Sequence, residues 1–125
     1  MNAIVTRYRR KQLAQVTSGL TISIPKVKFI AFGDGGCEGG VVKAPSEVQA
    51  ALFHEVKRYE ITEKTLMNEV SVRYQITIPE ADLIGTKINE VALVDETGKI
   101  CAIQTFQDKV KDEGVKFIFE FDDEY

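Results

Sequence analysis

The chain has 125 residues, 44% hydrophobic and 28% charged, with a net charge of −3. That balance fits a single globular domain over 1–125, long enough to bury a core, and lacks the concentrated basic face that nucleic acid binding needs. No apolar run approaches the roughly 20 residues that cross a bilayer. Arg7, Arg9, Arg10 and Lys11 also interrupt any signal-peptide core. The expectation is a protein made in the cytoplasm, without a signal peptide or membrane insertion. Cys37 and Cys101 then read as free thiols, with a bridge between them as the minor alternative.

In chain order, Ile4, Val5, Tyr8, Leu13 and Val16 recur at helical spacing and predict a helix over 1–17, closed by Thr17-Ser18-Gly19. Leu20, Ile22 and Ile24 alternate with Thr21 and Ser23 as in a strand that Pro25 breaks. The apolar phase changes after Pro25, predicting a bulge or bend there and a strand buried on both faces through Phe32. Residues 33–40 are glycine-rich and read as a loop. Ser46 and Gln49 have the spacing of a reciprocal helix cap, so a short helix is expected from Pro45. Tyr59, Ile61 and Thr62 read as strand.

Val70, Val72, Tyr74, Ile76 and Ile78 share one face against Ser71, Arg73, Gln75 and Thr77, the pattern of a half-solvated antiparallel strand. Pro79 ends it, and 80–85 form a turn. Strands at 88–94 and 99–106 are joined by Asp95-Glu96-Thr97-Gly98 as a hairpin. A polar connection over 107–114 leads to a last strand, with Val115, Phe117, Phe119 and Phe121 on one face, before an acidic end. The fold class is therefore α+β: a predominantly antiparallel, sandwich-like β-sheet with an N-terminal helix and one short internal helix.

Catalytic and metal-binding patterns fail one by one. The glycine-rich loop lacks the Lys-Ser/Thr of a phosphate loop, and Glu38 stands where the third glycine of a dinucleotide motif belongs. Asp34 and Glu38 lack the spacing of a calcium loop. Cys37 with His54 is the one conceivable thiol–base pair, but no third group orients it. Two cysteines and one histidine are too few for zinc. No cofactor or metal is expected. Glu55 and Glu90 sit beside apolar segments, and Arg58 or Arg73 is the expected partner for a buried carboxylate. The basic start and acidic end read as solvated faces or, alternatively, as contacts between neighbouring subunits.

The segments Lys11-Gln12-Leu13-Ala14, Gly19, Leu20-Thr21-Ile22 and Phe29-Ile30-Ala31-Phe32-Gly33-Asp34-Gly35 resemble the opening of phage tail-collar fibre proteins. Leu52, Glu55 and Arg58 are similar to that family's Asn-Glu segment, with His54 in place of asparagine. Residues 81–85, Ile88-Asn89-Glu90-Val91-Ala92-Leu93, Asp95, Gly98 and Ile100-Cys101-Ala102 resemble its hairpin, with Ala92 in place of glycine. The resemblance spans about residues 3–121. It implies a non-enzymatic attachment module in the virion tail of a phage or prophage. Its partners would be other tail, baseplate or fibre proteins and its own copies, a trimer among the candidate oligomers. Because the chain stops at Tyr125, where longer relatives continue into a shaft, an adapter, a short prophage form or an excised domain is expected instead of a receptor-binding tip. Gly33, Asp34 and Gly35 would shape a turn, and Glu55, Arg58 and Glu90 would act as a polar brace. The alternative is a stand-alone module binding a small anion at loop 33–40.

Overall fold

The computed structural model describes residues 2–112 and 116–125. Strands β1 (Asn2–Val5), β2 (Val27–Gly33), β5 (Glu55–Glu60), β8 (Lys87–Asp95) and β9 (Ile100–Val110) form one sheet in the order β1-β9-β8-β2-β5. Strands β6 (Glu63–Asn68), β7 (Ser71–Ile78) and β10 (Phe117–Glu124) form a second, ordered β10-β7-β6. All of these pairings are antiparallel. A small hairpin, β3 (Cys37–Glu38) with β4 (Val41–Val42), and one helix, α1 (Arg7–Thr17), complete the elements. The expected mostly antiparallel β fold with an N-terminal helix is what the chain adopts.

The two sheets share one core. Ile30, Phe32, Val91 and Leu93 from the larger sheet meet Tyr74, Ile76, Ile78 and Phe121 from the smaller. Phe32 lies edge-on to Phe119, with ring centroids 5.1 Å apart. Ala31, Ala92, Val94, Ile100 and Ile103 bury against Leu52 in a second cluster. β2 is thus covered on both faces, as its continuous apolar run predicts. Its register shift falls between Val27 and Phe29, just beyond Pro25.

Several expectations require correction. The helix begins at Arg7 and not at the first residue, because Ile4 and Val5 pair with Ile103 and Ala102 of β9. Thr6 marks the boundary: its hydroxyl accepts from Arg9 N and donates to Ile100 O at 2.8 Å. Gly19 does close the helix in the left-handed region, with φ 81°. Residues 20–24 form no strand; Leu20 is 83% and Ile22 99% exposed, with no strand alongside. The internal helix at Pro45 is absent. Gln49 Oε1 does accept from Ser46 N, but the Ser46 hydroxyl accepts from Val48 N instead of Gln49 N, and the segment makes a single turn.

Of the expected polar connection over 107–114, residues 107–110 are instead strand, and 113–114 lie outside the described residues. β9 continues to Val110 because Lys109 and Val110 pair with Ile88 and Lys87. Beyond it Lys111 is buried, its Nζ donating to Glu80 O at 2.6 Å. Val115, expected on the face of the last strand, lies outside the described residues; that strand runs on to Glu124.

The charged ends meet within one chain. Arg9 of α1 and Asp123 of β10 are buried with Nη1 and Oδ2 2.8 Å apart, angled as an ion pair and not as an aligned hydrogen bond. The Tyr125 hydroxyl accepts from Arg9 Nη2 and donates to Asp123 Oδ2. Burial is the largest influence and works against the Arg9 charge, but Asp123, Tyr125, Cys101 and Tyr74 together outweigh it and the guanidinium pKa is raised. Glu120 and Asp122 pair with Arg73. The acidic end is thus largely neutralised internally.

All four tyrosines are harder to ionise than the free phenol. Burial comes first at each. Asp95 reinforces it at Tyr8, Asp82 at Tyr59 and Asp123 at Tyr74. Tyr125 is pushed up to about 12 despite the opposing Arg9. A phenol with a raised folded pKa keeps its proton where the unfolded phenol has lost it. Its stabilisation is full below about pH 10 and is lost as pH rises through the folded values. Tyrosinate absorbance is therefore expected to stay low near pH 10 and then rise together with unfolding. Four phenols titrating near pH 10 in a chain that retains its circular dichroism would contradict this.

Candidate functional site

Gly33 lies between two glutamates of the neighbouring strands. It pairs with Glu55 of β5 on one side and Glu90 of β8 on the other. The chain then turns through Asp34, Gly35 and Gly36, and acceptors from β8 hold that turn. Glu90, fully buried, accepts from Gly35 N (2.8 Å) and His54 N (2.9 Å) at Oε2 and from Phe53 N (2.7 Å) at Oε1. Asn89, also fully buried, accepts from Gly36 N at 2.6 Å. Its Nδ2 donates to Asp34 O and to Asp108 Oδ1. Asp34 N donates to His54 O, and the Asp34 carboxylate meets His54 Nδ1 at 2.5 Å. One carboxylate and one amide thus tie together loop 33–36, segment 53–54 and β8.

The glycines leave room for these acceptors. A Cβ at Gly33 would lie 2.6 Å from Glu90 Oε2 and 2.7 Å from its Cγ, and would overlap His54 O. Gly35 would meet Phe53 Cβ at 2.7 Å, and Gly36 would overlap Asn89 O. At Gly39 and Gly40 the constraint differs: both have positive φ, 58° and 79°, in the two-residue turn of the β3–β4 hairpin, with open space around them. Gly33→Ala is therefore expected to cost about 2–4 kcal/mol, since neither a backbone carbonyl nor a buried carboxylate can move aside cheaply. Gly39→Asn should cost less than about 1 kcal/mol, because asparagine tolerates that backbone region. Chemical denaturation of both variants measures the contrast.

The brace expected from Glu55, Arg58 and Glu90 is not one unit. Glu55 and Arg58 pair with each other at 2.8 Å on the partly exposed β5 edge. The expected arginine partner for Glu90 is replaced by three backbone N–H groups, and Arg73 is engaged with Glu120 and Asp122. Asn89 was missed by sequence reasoning, and an asparagine within an apolar strand was the available signal. Asp95 is a further buried acceptor. It shapes the β8–β9 turn by accepting from Thr97 N, Thr97 Oγ1 and Lys99 N, and from the Tyr8 hydroxyl at 2.5 Å. Burial opposes its charge, but these donors prevail and lower its pKa.

The loop has little capacity for chemistry. The amides of Gly35 and Gly36 face inward onto Glu90 and Asn89, the opposite of what a bound anion requires. Cys37 and His54 are engaged separately, Cys37 with Phe106 O and His54 with Asp34. Burial, then the Asp108 carboxyl, pushes the Cys37 thiol up, away from a reactive thiolate. Burial likewise takes Cys101 to about 11. Among the described residues both cysteines are free, and no group of three or more His, Cys, Asp or Glu side chains is placed to hold a metal ion. No helix among them is long and apolar enough to cross a membrane.

The family model for the phage tail-collar fibre protein, N-terminal, matches residues 1–116. No curated protein and no solved structure matches the chain. The glycine turn and the β8–β9 hairpin, two of the segments that carry the sequence resemblance, are the parts that Glu90 and Asn89 bond together.

Proposed function

The chain belongs to the phage tail-collar fibre protein N-terminal family, and from that premise we propose that it is a single attachment domain joining a fibre to neighbouring tail or baseplate proteins, and that it self-associates. The family supports a structural role in the phage tail and a location in the virion. The observation that carries the assembly reading is the segment after α1. Leu20 (83% exposed) and Ile22 (99% exposed) present apolar side chains on the surface, where a monomer gains nothing by keeping them. Glu90, Asn89 and the glycine turn serve this role by holding the scaffold rigid.

Light scattering over a wide concentration range tests the reading. A concentration-independent oligomer is expected, with the Leu20→Ser, Ile22→Ser double variant shifting toward the monomer at an unchanged melting temperature. A wild-type chain that stays monomeric throughout would overturn self-association. A variant with wild-type mass would remove segment 20–22 from the contact.

A further inference from the structure

Residues 44–52 cross the N-terminal end of α1 without entering a helix or strand. The segment is fixed at both ends. On one side Lys43 N donates to Gly36 O and Lys43 O accepts from Thr105 Oγ1. On the other, Leu52 is buried in the smaller core cluster and Phe53 N donates to Glu90. Between those anchors the bonds of Ser46, Val48 and Gln49 stay within the segment, from Ser46 to Ala51.

Among the described residues, the hydrogen bonds that tie 44–52 to the rest of the chain all run through Glu47. Its backbone carbonyl accepts from Arg7 N at 2.7 Å. Its carboxylate bridges Arg7 Nη2 at 2.5 Å and Arg10 Nη1 at 3.0 Å. Beneath it lies a groove of about 430 Å³, lined by Tyr8, Ala50, Lys99 and Ile100 as well as Arg7 and Glu47. Val48, the next residue, also lines the groove and is 65% exposed.

We propose that residues 44–51 are a hinged strap over this groove, latched to α1 by Glu47 alone. The latch is built from exposed ion pairs: the side chains of Arg7, Arg10 and Glu47 are 68%, 63% and 42% exposed. Such pairs are individually weak and screened by salt. Competing ions therefore release the strap while the anchors at Lys43 and Leu52 hold. Opening would uncover Tyr8 and Ile100 and free both guanidinium groups on the same surface.

The Arg7 amide is the reporter, because the strap itself supplies its acceptor, whereas the Arg10 amide donates to Thr6 O within α1. Hydrogen exchange of individual amides by NMR is measured on the intact chain. Glu47→Gln is expected to speed Arg7 exchange roughly threefold to tenfold, the scale of losing one or two surface ion pairs. High salt should do the same in the wild type and add little in the variant. Arg10 and the β8 amides should keep their rates. Val48→Ala should leave the Arg7 rate unchanged. The proposal fails if Arg7 exchange is insensitive to Glu47→Gln and to salt. It fails equally if Arg7 accelerates only together with the β8 amides, which would be global unfolding, or if Val48→Ala has the same effect as Glu47→Gln.

Discussion

Glu90→Ala is expected to lower the melting temperature by on the order of 10 °C, corresponding to about 3 kcal/mol for a domain of this size. The substitution removes the acceptor for the amides of Gly35, Phe53 and His54 in one step. Each of those donors is left in a place shaped for a carboxylate, and an unsatisfied buried donor costs about 1–3 kcal/mol. The total is less than a simple sum because a cavity at residue 90 admits water to some of them. Glu90→Gln sharpens the test. It preserves volume but replaces one acceptor oxygen with an amide that points donors at donors. It should be destabilising by a similar amount, although it removes no packing. A Glu90→Gln variant as stable as the wild type would show that the three amides do not depend on the carboxylate.

The second large effect is expected at the junction of α1 and β10. Asp123→Asn leaves the Arg9 guanidinium, 6% exposed, without its counter-charge, and breaking a buried pair from one side costs about 3–5 kcal/mol. Replacing both partners should cost far less: an Arg9→Met, Asp123→Leu double variant removes both desolvated charges together. The expected signature in urea unfolding is therefore non-additivity, with the double variant more stable than Asp123→Asn alone. Additive losses would mean that Arg9 and Asp123 stabilise the chain independently, and the ion pair would cease to explain what ties α1 to the end of β10.

What the sequence made legible divides along physical lines. β7 was readable because one buried face imposes a period of two, and the β8–β9 hairpin because two apolar runs flank Asp95 and Gly98, which carry the turn's geometry in their residue types. Gly19 was readable for the same reason. Ile4 and Val5 were misread because they fit the helical stripe as well as a strand. The choice was made by β9, about a hundred residues away, and no local pattern contains that information. The segment 20–24 erred in the opposite direction: its alternation is real, but a strand needs a neighbour. At the site, the glycine turn and the burial of Glu90 could be anticipated. Its partners could not, since backbone N–H groups belong to every residue and leave no mark in a sequence. The expectation of an arginine partner treated a buried carboxylate as a question of charge when the fold answered it with amides.

The pairing of β1 with β9 also fixes an order of events. Ala3 aligns with Gln104, and Thr6 donates to Ile100 and caps α1 in the same stroke. During synthesis β1 therefore waits while about a hundred further residues are made before its partner exists. Closure of so long a loop is slow compared with forming the β8–β9 hairpin. The hairpin should thus form early and β1 dock last. In refolding kinetics, a substitution at Thr6 should chiefly speed unfolding, whereas one at Asp95 should slow folding.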